Sequence, residues 1–345
     1  MLDDINFVNQ RDSAGALSVV ANFSEQALFE PHLDGQLNLN PVTNVVISGV
    51  GGAVLAGDIT KVLLKDRLSV PLEVIRGYDL PRYINRSTLI IVIGHSGNTD
   101  EALTCLDQTT GIGAPMVVVS TGGELVNRAR RERIPVLTIP AKTQARFSTI
   151  YYLKGLLKIF EQHGLSDSQL RDEISSSADW LESKIAEWMG DVPTEHNYAK
   201  QLAWMTVGKT AVFYGGQITG PLAYKWKTSW NETAKNIAFA GQYPEASHNE
   251  LTGWSSHPIE KQFAIFDIQS SFERPKIIER MELTKRMLSG MRPNAVTIIC
   301  VGDGLVRQIL WSIALADATS IYGAILNNVN PMTVDLSDRF KETLS

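Results

Sequence analysis

The sequence predicts an α/β protein of two tandem, doubly wound parallel-sheet domains joined by a helical connector. Three observations predict it. Short β-branched runs alternate with amphipathic stretches, the pattern of strands crossing over through helices. Four of the early runs end in Gly, Ser or Asp turns, which belong at the carboxyl edge of such a sheet. A strand, glycine turn and helix pattern also occurs twice, as VVISGVGGAVLAGD at 45–58 and as AVFYGGQITGPLAYKW at 211–226. The 345 residues fit this count, at about 150 residues per domain.

Taken in order, the runs at 45–47, 72–75, 89–93, 116–119 and 135–139 are the predicted strands of a first domain, placed at 1–165. The apolar period over 149–163 predicts a long helix, and 166–188 has near-helical spacing among Ser, Asp, Glu and Lys, so 166–190 is the predicted connector. Asp191-Val192-Pro193 breaks that pattern and opens a second domain at 191–345. Its predicted strands lie at 211–214, 263–268 and 297–301, and two helices are expected at 306–319 and 321–326.

Composition excludes several function classes. The hydrophobic fraction of 44% and charged fraction of 20% are those of an ordinary globular chain. With 32 Lys+Arg against 37 Asp+Glu, the formal charge of -5 offers no basic excess for a nucleic-acid backbone. No apolar run approaches the roughly 20 residues that span a bilayer, so no membrane partner is expected. The start, MLDDINFVNQRD, lacks the basic and apolar regions of a signal peptide, and a cytoplasmic location is the expectation. Cys105 and Cys300 stand far apart without a CxxC or a nearby His, which argues for two buried thiols rather than a disulfide or a metal site.

Two loops carry candidate chemistry. Gly49-Val50-Gly51-Gly52-Ala53 follows a buried strand, and glycines there let the backbone approach a ligand at a helix N-terminus. The spacing serves a tight turn equally well and does not fit the dinucleotide fingerprint. In Gly94-His95-Ser96-Gly97-Asn98-Thr99-Asp100-Glu101, hydroxyl and amide donors stand beside the free N–H groups of a first helical turn. A phosphate dianion would find several donors there, and a capped helix is the alternative.

SGNT after a strand, GxGG followed by GD, and Tyr78-Asp79-Leu80-Pro81 together resemble the sugar isomerase (SIS) domain. NETAKNIAF, PEASHNELTGW and SIYGAILNNVNP, in that order, make nearly the whole chain similar to the bifunctional phosphoglucose/phosphomannose isomerases. The resemblance implies a flavodoxin-like fold and aldose–ketose isomerisation of glucose 6-phosphate or mannose 6-phosphate with fructose 6-phosphate, with no metal or organic cofactor. It places the catalytic base on Glu232, the ring-opening residue on His248, an arginine beside the sugar on Arg146 and a C-terminal lysine on Lys341. The phosphate would lie at Gly51, Gly52, Ala53, His95, Ser96, Gly97, Asn98 and Thr99. His248 would come from a second copy, which implies a homodimer.

Read as residues, Glu232 among Lys225, Lys227 and Lys235 also suits a solvated helix end, His248 a surface site and Arg146 an ion pair. Two positions depart from the family pattern, since Ala53 and Gly94 stand where the family carries serines. Each missing hydrogen bond to a charged group costs about 1.5–3 kcal/mol. A His95 ring turned inward and protonated would compensate. The departures also motivate a second reading, a non-catalytic sugar-phosphate-binding protein, although no helix-turn-helix or basic arm for DNA is visible.

Overall fold

A computed structural model describes residues 1–256 and 262–344. Packing divides the chain into two compact units, 24–179 and 1–23 with 180–345.

In residues 24–179 the strands are β1 (Leu33–Asp34), β2 (Asn44–Gly49), β3 (Leu72–Ile75), β4 (Thr88–Gly94), β5 (Met116–Ser120) and β6 (Val136–Thr138). They lie in the order β1-β6-β5-β4-β2-β3, all parallel except β1, which runs antiparallel to β6. All seven residues of β4 are buried, as a central parallel strand covered on both faces requires. The chain passes from β2 outward to β3 and returns on the other side of β2 as β4. That reversal opens a crevice between the carboxyl ends of β2 and β4, the place where open α/β sheets bind ligands.

The second unit repeats the plan with β7 (Thr210–Gly215), β8 (Ala238–Gln242), β9 (Phe263–Gln269) and β10 (Val296–Ile299) in the order β10-β9-β7-β8, all parallel. Here β8 lies on one side of β7 and β9 on the other, so the reversal falls between β7 and β9. Its core helix, Leu305–Leu326, is one continuous element rather than the two expected, because Ser320 donates its hydroxyl to the Asp317 carbonyl (2.8 Å) instead of breaking the helix. This helix is long and apolar enough to cross a membrane, but 94% of its apolar window is buried inside the fold.

The boundary at 179/180 falls inside the expected connector, and the difference from the sequence expectation lies in residues 1–23, which it put in the first domain. Residues 1–23 pack with the second unit. Leu2 and Val8 are buried, and the Asp3 carboxylate accepts from the Thr194 amide and hydroxyl (2.8 Å each) and from Lys200 Nζ (3.3 Å). The expected connector is two helices, Gln169–Ser176 and Ala178–Ala186, and the unit boundary falls within the second. Both cysteines are free and buried.

Asp267, on β9, is 1% exposed, and burial pushes its carboxyl up to about 6, against the pull of Arg292 and Lys285. The folded state therefore holds this proton more tightly than the unfolded chain, so stability falls as pH rises from about 4 to 6 and stays lower above. At 1.36 kcal/mol per unit the loss is on the order of 2–3 kcal/mol. Asp267→Asn is expected to raise the melting temperature at pH 8 and not at pH 4. Equal shifts in thermal unfolding at the two pH values would refute it.

Candidate functional site

In residues 24–179 both candidate loops stand at the crevice between β2 and β4. Gly51 opens the helix Gly51–Leu63, whose first turn has no side-chain cap. A Cβ on Gly52 would stand 3.2 Å from both Cα and N of Arg146, a tight approach that the glycine relieves where this turn meets the short helix Ala145–Phe147. The sequence-distant Arg146 is thereby brought against the first loop, with its side chain buried and its guanidinium 4.8 Å from the centre of the Phe147 ring. The Ala53 methyl is buried, which leaves its N–H as the one group it can offer a ligand.

The second loop is held by its own side chains. Asn98 Oδ1 accepts the Glu124 amide (2.9 Å) at the start of the helix Gly123–Arg131, and the Gly97 carbonyl accepts from Leu125 (2.8 Å). Ser96 Oγ, on the exposed side, accepts from the Asn98 amide (3.3 Å). Thr99 is the N-cap residue of the helix Asp100–Thr109 and makes no side-chain cap; its buried hydroxyl has no partner among the described residues. That hydroxyl and the first-turn amides are the donors this loop holds for an anion.

His95 does not fill the compensating role expected of it. Its Nε2 donates to the Thr143 carbonyl (3.0 Å), which leaves Nδ1 to accept from the Tyr152 hydroxyl (3.0 Å) in the neutral ring. A protonated ring would offer its second N–H to the same tyrosine, so neither form has an N–H to spare. His95 works instead as a brace between the loop and the segment that leads to Arg146. Thr143 and Tyr152 carry no motif, and nothing in the sequence pointed to them.

Glu232 lies in the second unit, near the end of the helix Gly220–Thr233. Half-buried, it lines a cavity of about 760 Å³ together with Asn231, Lys235, Asn236, Asn330 and Thr333. The Lys235 ammonium donates to the carbonyls of Glu232 (3.0 Å) and Thr233 (3.3 Å), a cation at a helix C-terminus where the dipole favours it. Asn231 Oδ1 accepts the Ala238 amide (2.8 Å) and ties the helix end to β8. The solvated helix end suggested by the neighbouring lysines is thus a cavity wall. Asn330 and Thr333 come from the tail segment NNVNPMT and were not singled out as site residues.

His248 sits on the surface in the first turn of the helix Ala246–Ser255. Its neighbours in the motif anchor that helix. The Tyr214 hydroxyl donates to the Glu250 carboxylate, Trp254 Nε1 donates to Tyr214 (3.3 Å), and Arg280 donates to Ser247 Oγ (2.9 Å). Burial and then the Glu250 carboxylate push the Tyr214 hydroxyl far up, so it stays a donor. Lys341 lies in the helix Asp335–Leu344, and its side chain lies outside the described residues. Among the described residues no three His, Cys, Asp or Glu side chains gather as a metal site.

Residues 195–344 match the model of the bacterial phospho-glucose isomerase C-terminal SIS domain. A bifunctional phosphoglucose/phosphomannose isomerase of Caldicellulosiruptor bescii is 30% identical over 306 residues, 88% of this chain and 90% of that protein. Another, from Aquifex aeolicus, is 27% identical over 94% of this chain and 97% of its own length. Among solved structures, a glucose-6-phosphate isomerase-like protein from Thermus thermophilus shares the fold with a TM-score of 0.67 at 19% identity, covering 99% of this chain and 98% of that one. The chain belongs to the bifunctional phosphoglucose/phosphomannose isomerase family.

Proposed function

We propose that this protein is an aldose–ketose isomerase that interconverts glucose 6-phosphate, mannose 6-phosphate or both with fructose 6-phosphate. The observation that carries the reading is Glu232, a carboxylate on the wall of a cavity that Ile237, Val329, Val334 and Leu336 also line, in a chain 30% identical to a bifunctional isomerase over most of its length. The reaction moves hydrogen within one molecule, so a single base suffices. Glu232 takes the proton from C2 of the open-chain aldose, and the C1 carbonyl oxygen takes a proton from solvent, matched by the one the C2 oxygen later releases, to become a hydroxyl of a cis-enediol. The same carboxylate returns the proton to C1 while the oxygen on C2 loses its own and becomes the ketone.

The remaining roles follow from the chemistry of the groups. The amides at Gly51, Gly52 and Ala53, with Ser96, Gly97, Asn98 and Thr99, hold the phosphate, whose charge suits helix N-termini. His95 supports that loop without touching the anion. Arg146 supplies a fixed cation for charge developing on the enediolate. His248 moves protons between the ring oxygen and the C1 hydroxyl, work suited to an imidazole near neutral pH. Its surface position leaves it accessible to the site of a second copy in a homodimer. The non-catalytic alternative is not favoured, since the relatives matched over most of the chain are named as isomerases.

The test is a coupled assay for fructose 6-phosphate formation and removal by the purified protein without added metal. Turnover is expected, and its absence overturns the reading.

A further inference from the structure

The repeat noted in the sequence places a second glycine turn, Gly215-Gly216-Gln217-Ile218-Thr219, at the carboxyl end of β7, the counterpart of the first loop after β2. The isomerase reading gives this turn no role. It faces the crevice between β7 and β9, and the loop across that crevice carries Glu273.

Glu273 is 4% exposed, and its carboxylate reaches into the turn. Oε1 accepts from the Gln217 amide (3.0 Å), and Oε2 accepts from the amides of Ile218 (3.0 Å) and Thr219 (3.4 Å). The remaining amide, that of Gly216, is taken by Thr219 Oγ1 (2.7 Å), which in turn donates to the Ile268 carbonyl on β9 (2.7 Å). A Cβ on Gly216 would collide with the carboxylate, so the glycine here makes room for an anion that the chain itself supplies. In the first unit no side chain caps the corresponding turn at Gly51.

A carboxylate offers two acceptor oxygens and a negative charge, the features by which a phosphate binds such a turn. We propose that Glu273 is a built-in anion occupying the second copy of a phosphate nest. The C-terminal unit takes no phosphate while that carboxylate is present, and removing it uncovers a site for a phosphate group. The duplicated fold thus carries one phosphate site per chain rather than two. This proposal does not rest on the isomerase activity.

The experiment compares thermal unfolding of wild type and Glu273→Ala in inorganic phosphate and in chloride at matched ionic strength. Phosphate bound only by the folded state raises the melting temperature. The expected result is a rise several degrees larger for Glu273→Ala than for wild type; equal rises overturn the proposal. Using the increment separates this nest from any phosphate bound in the first unit, including the case where wild type shows no response. Should Glu273→Ala not fold in chloride, recovery of its fold in phosphate supports the proposal. Glu273→Gln, which keeps the volume and loses the charge, is the second variant. Its expected behaviour is a lower melting temperature than wild type with no extra response to phosphate, and a melting temperature equal to that of wild type overturns the proposal.

Discussion

Glu232→Gln is expected to lower kcat for fructose 6-phosphate by about 10²–10⁴-fold, the usual contribution of a positioned general base. The amide keeps the shape of the side chain and its place on the cavity wall but cannot take a proton from carbon. The proposed phosphate donors lie in other loops, so KM should change far less than kcat, the signature of an interaction used in the transition state. Glu232 is only half-buried, and the melting temperature should stay near that of wild type. Exchange of the C2 hydrogen of the aldose with deuterated solvent gives a second reading and should fall in parallel with kcat. An undiminished rate would remove Glu232 from the role of base. A lost rate with exchange retained would place the defect in a different step.

The strands were legible because parallel strands are short, apolar and β-branched, and the first five runs coincide with β2 to β6 to within two residues. What escaped was either too short or too polar for a period. β1 has two residues, and β8, with the sequence Ala-Phe-Ala-Gly-Gln, is mostly exposed. Residues 1–23 form helices of six or seven residues, and their attachment to the second unit depends on contacts such as Asp3 with Lys200, far apart in sequence. The candidate site divides in the same way. Loops placed by the end of a strand were readable as loops, but the direction of each side chain was not. Hence His95 turns to Tyr152 and Thr143, Ala53 turns inward, and the cavity beside Glu232 includes Asn330 and Thr333 from nearly a hundred residues away. The second glycine turn looked like a copy of the first, and only the position of Glu273 distinguishes an occupied turn from an open one.

The largest loss of stability is expected from Asp317→Ala. Asp317 and Lys225 form an ion pair at 2.7 Å with both side chains almost wholly buried, one on Leu305–Leu326 and the other on Gly220–Thr233. The same carboxylate oxygen accepts the Ser229 hydroxyl (2.7 Å), and Trp226 Nε1 donates to Ser312 (3.1 Å) beside it. Removing the carboxylate leaves a buried ammonium with its main charge partner gone, at a cost of about 3–5 kcal/mol. At about 2–4 °C per kcal/mol, the melting temperature should fall by roughly 6–20 °C. The pair itself need not stabilise the fold, because bringing both charges out of water costs much of what their attraction returns. Lys225→Met with Asp317→Leu, which replaces the charges by apolar volume, is therefore expected to recover most of the loss. A double variant as unstable as Asp317→Ala would mean that shape or the Ser229 bond, and not the stranded charge, causes the damage. Glu232 stands about two turns beyond Lys225 on the same helix, so loosening at Asp317 should also lower kcat below the melting temperature, and the double variant should restore both.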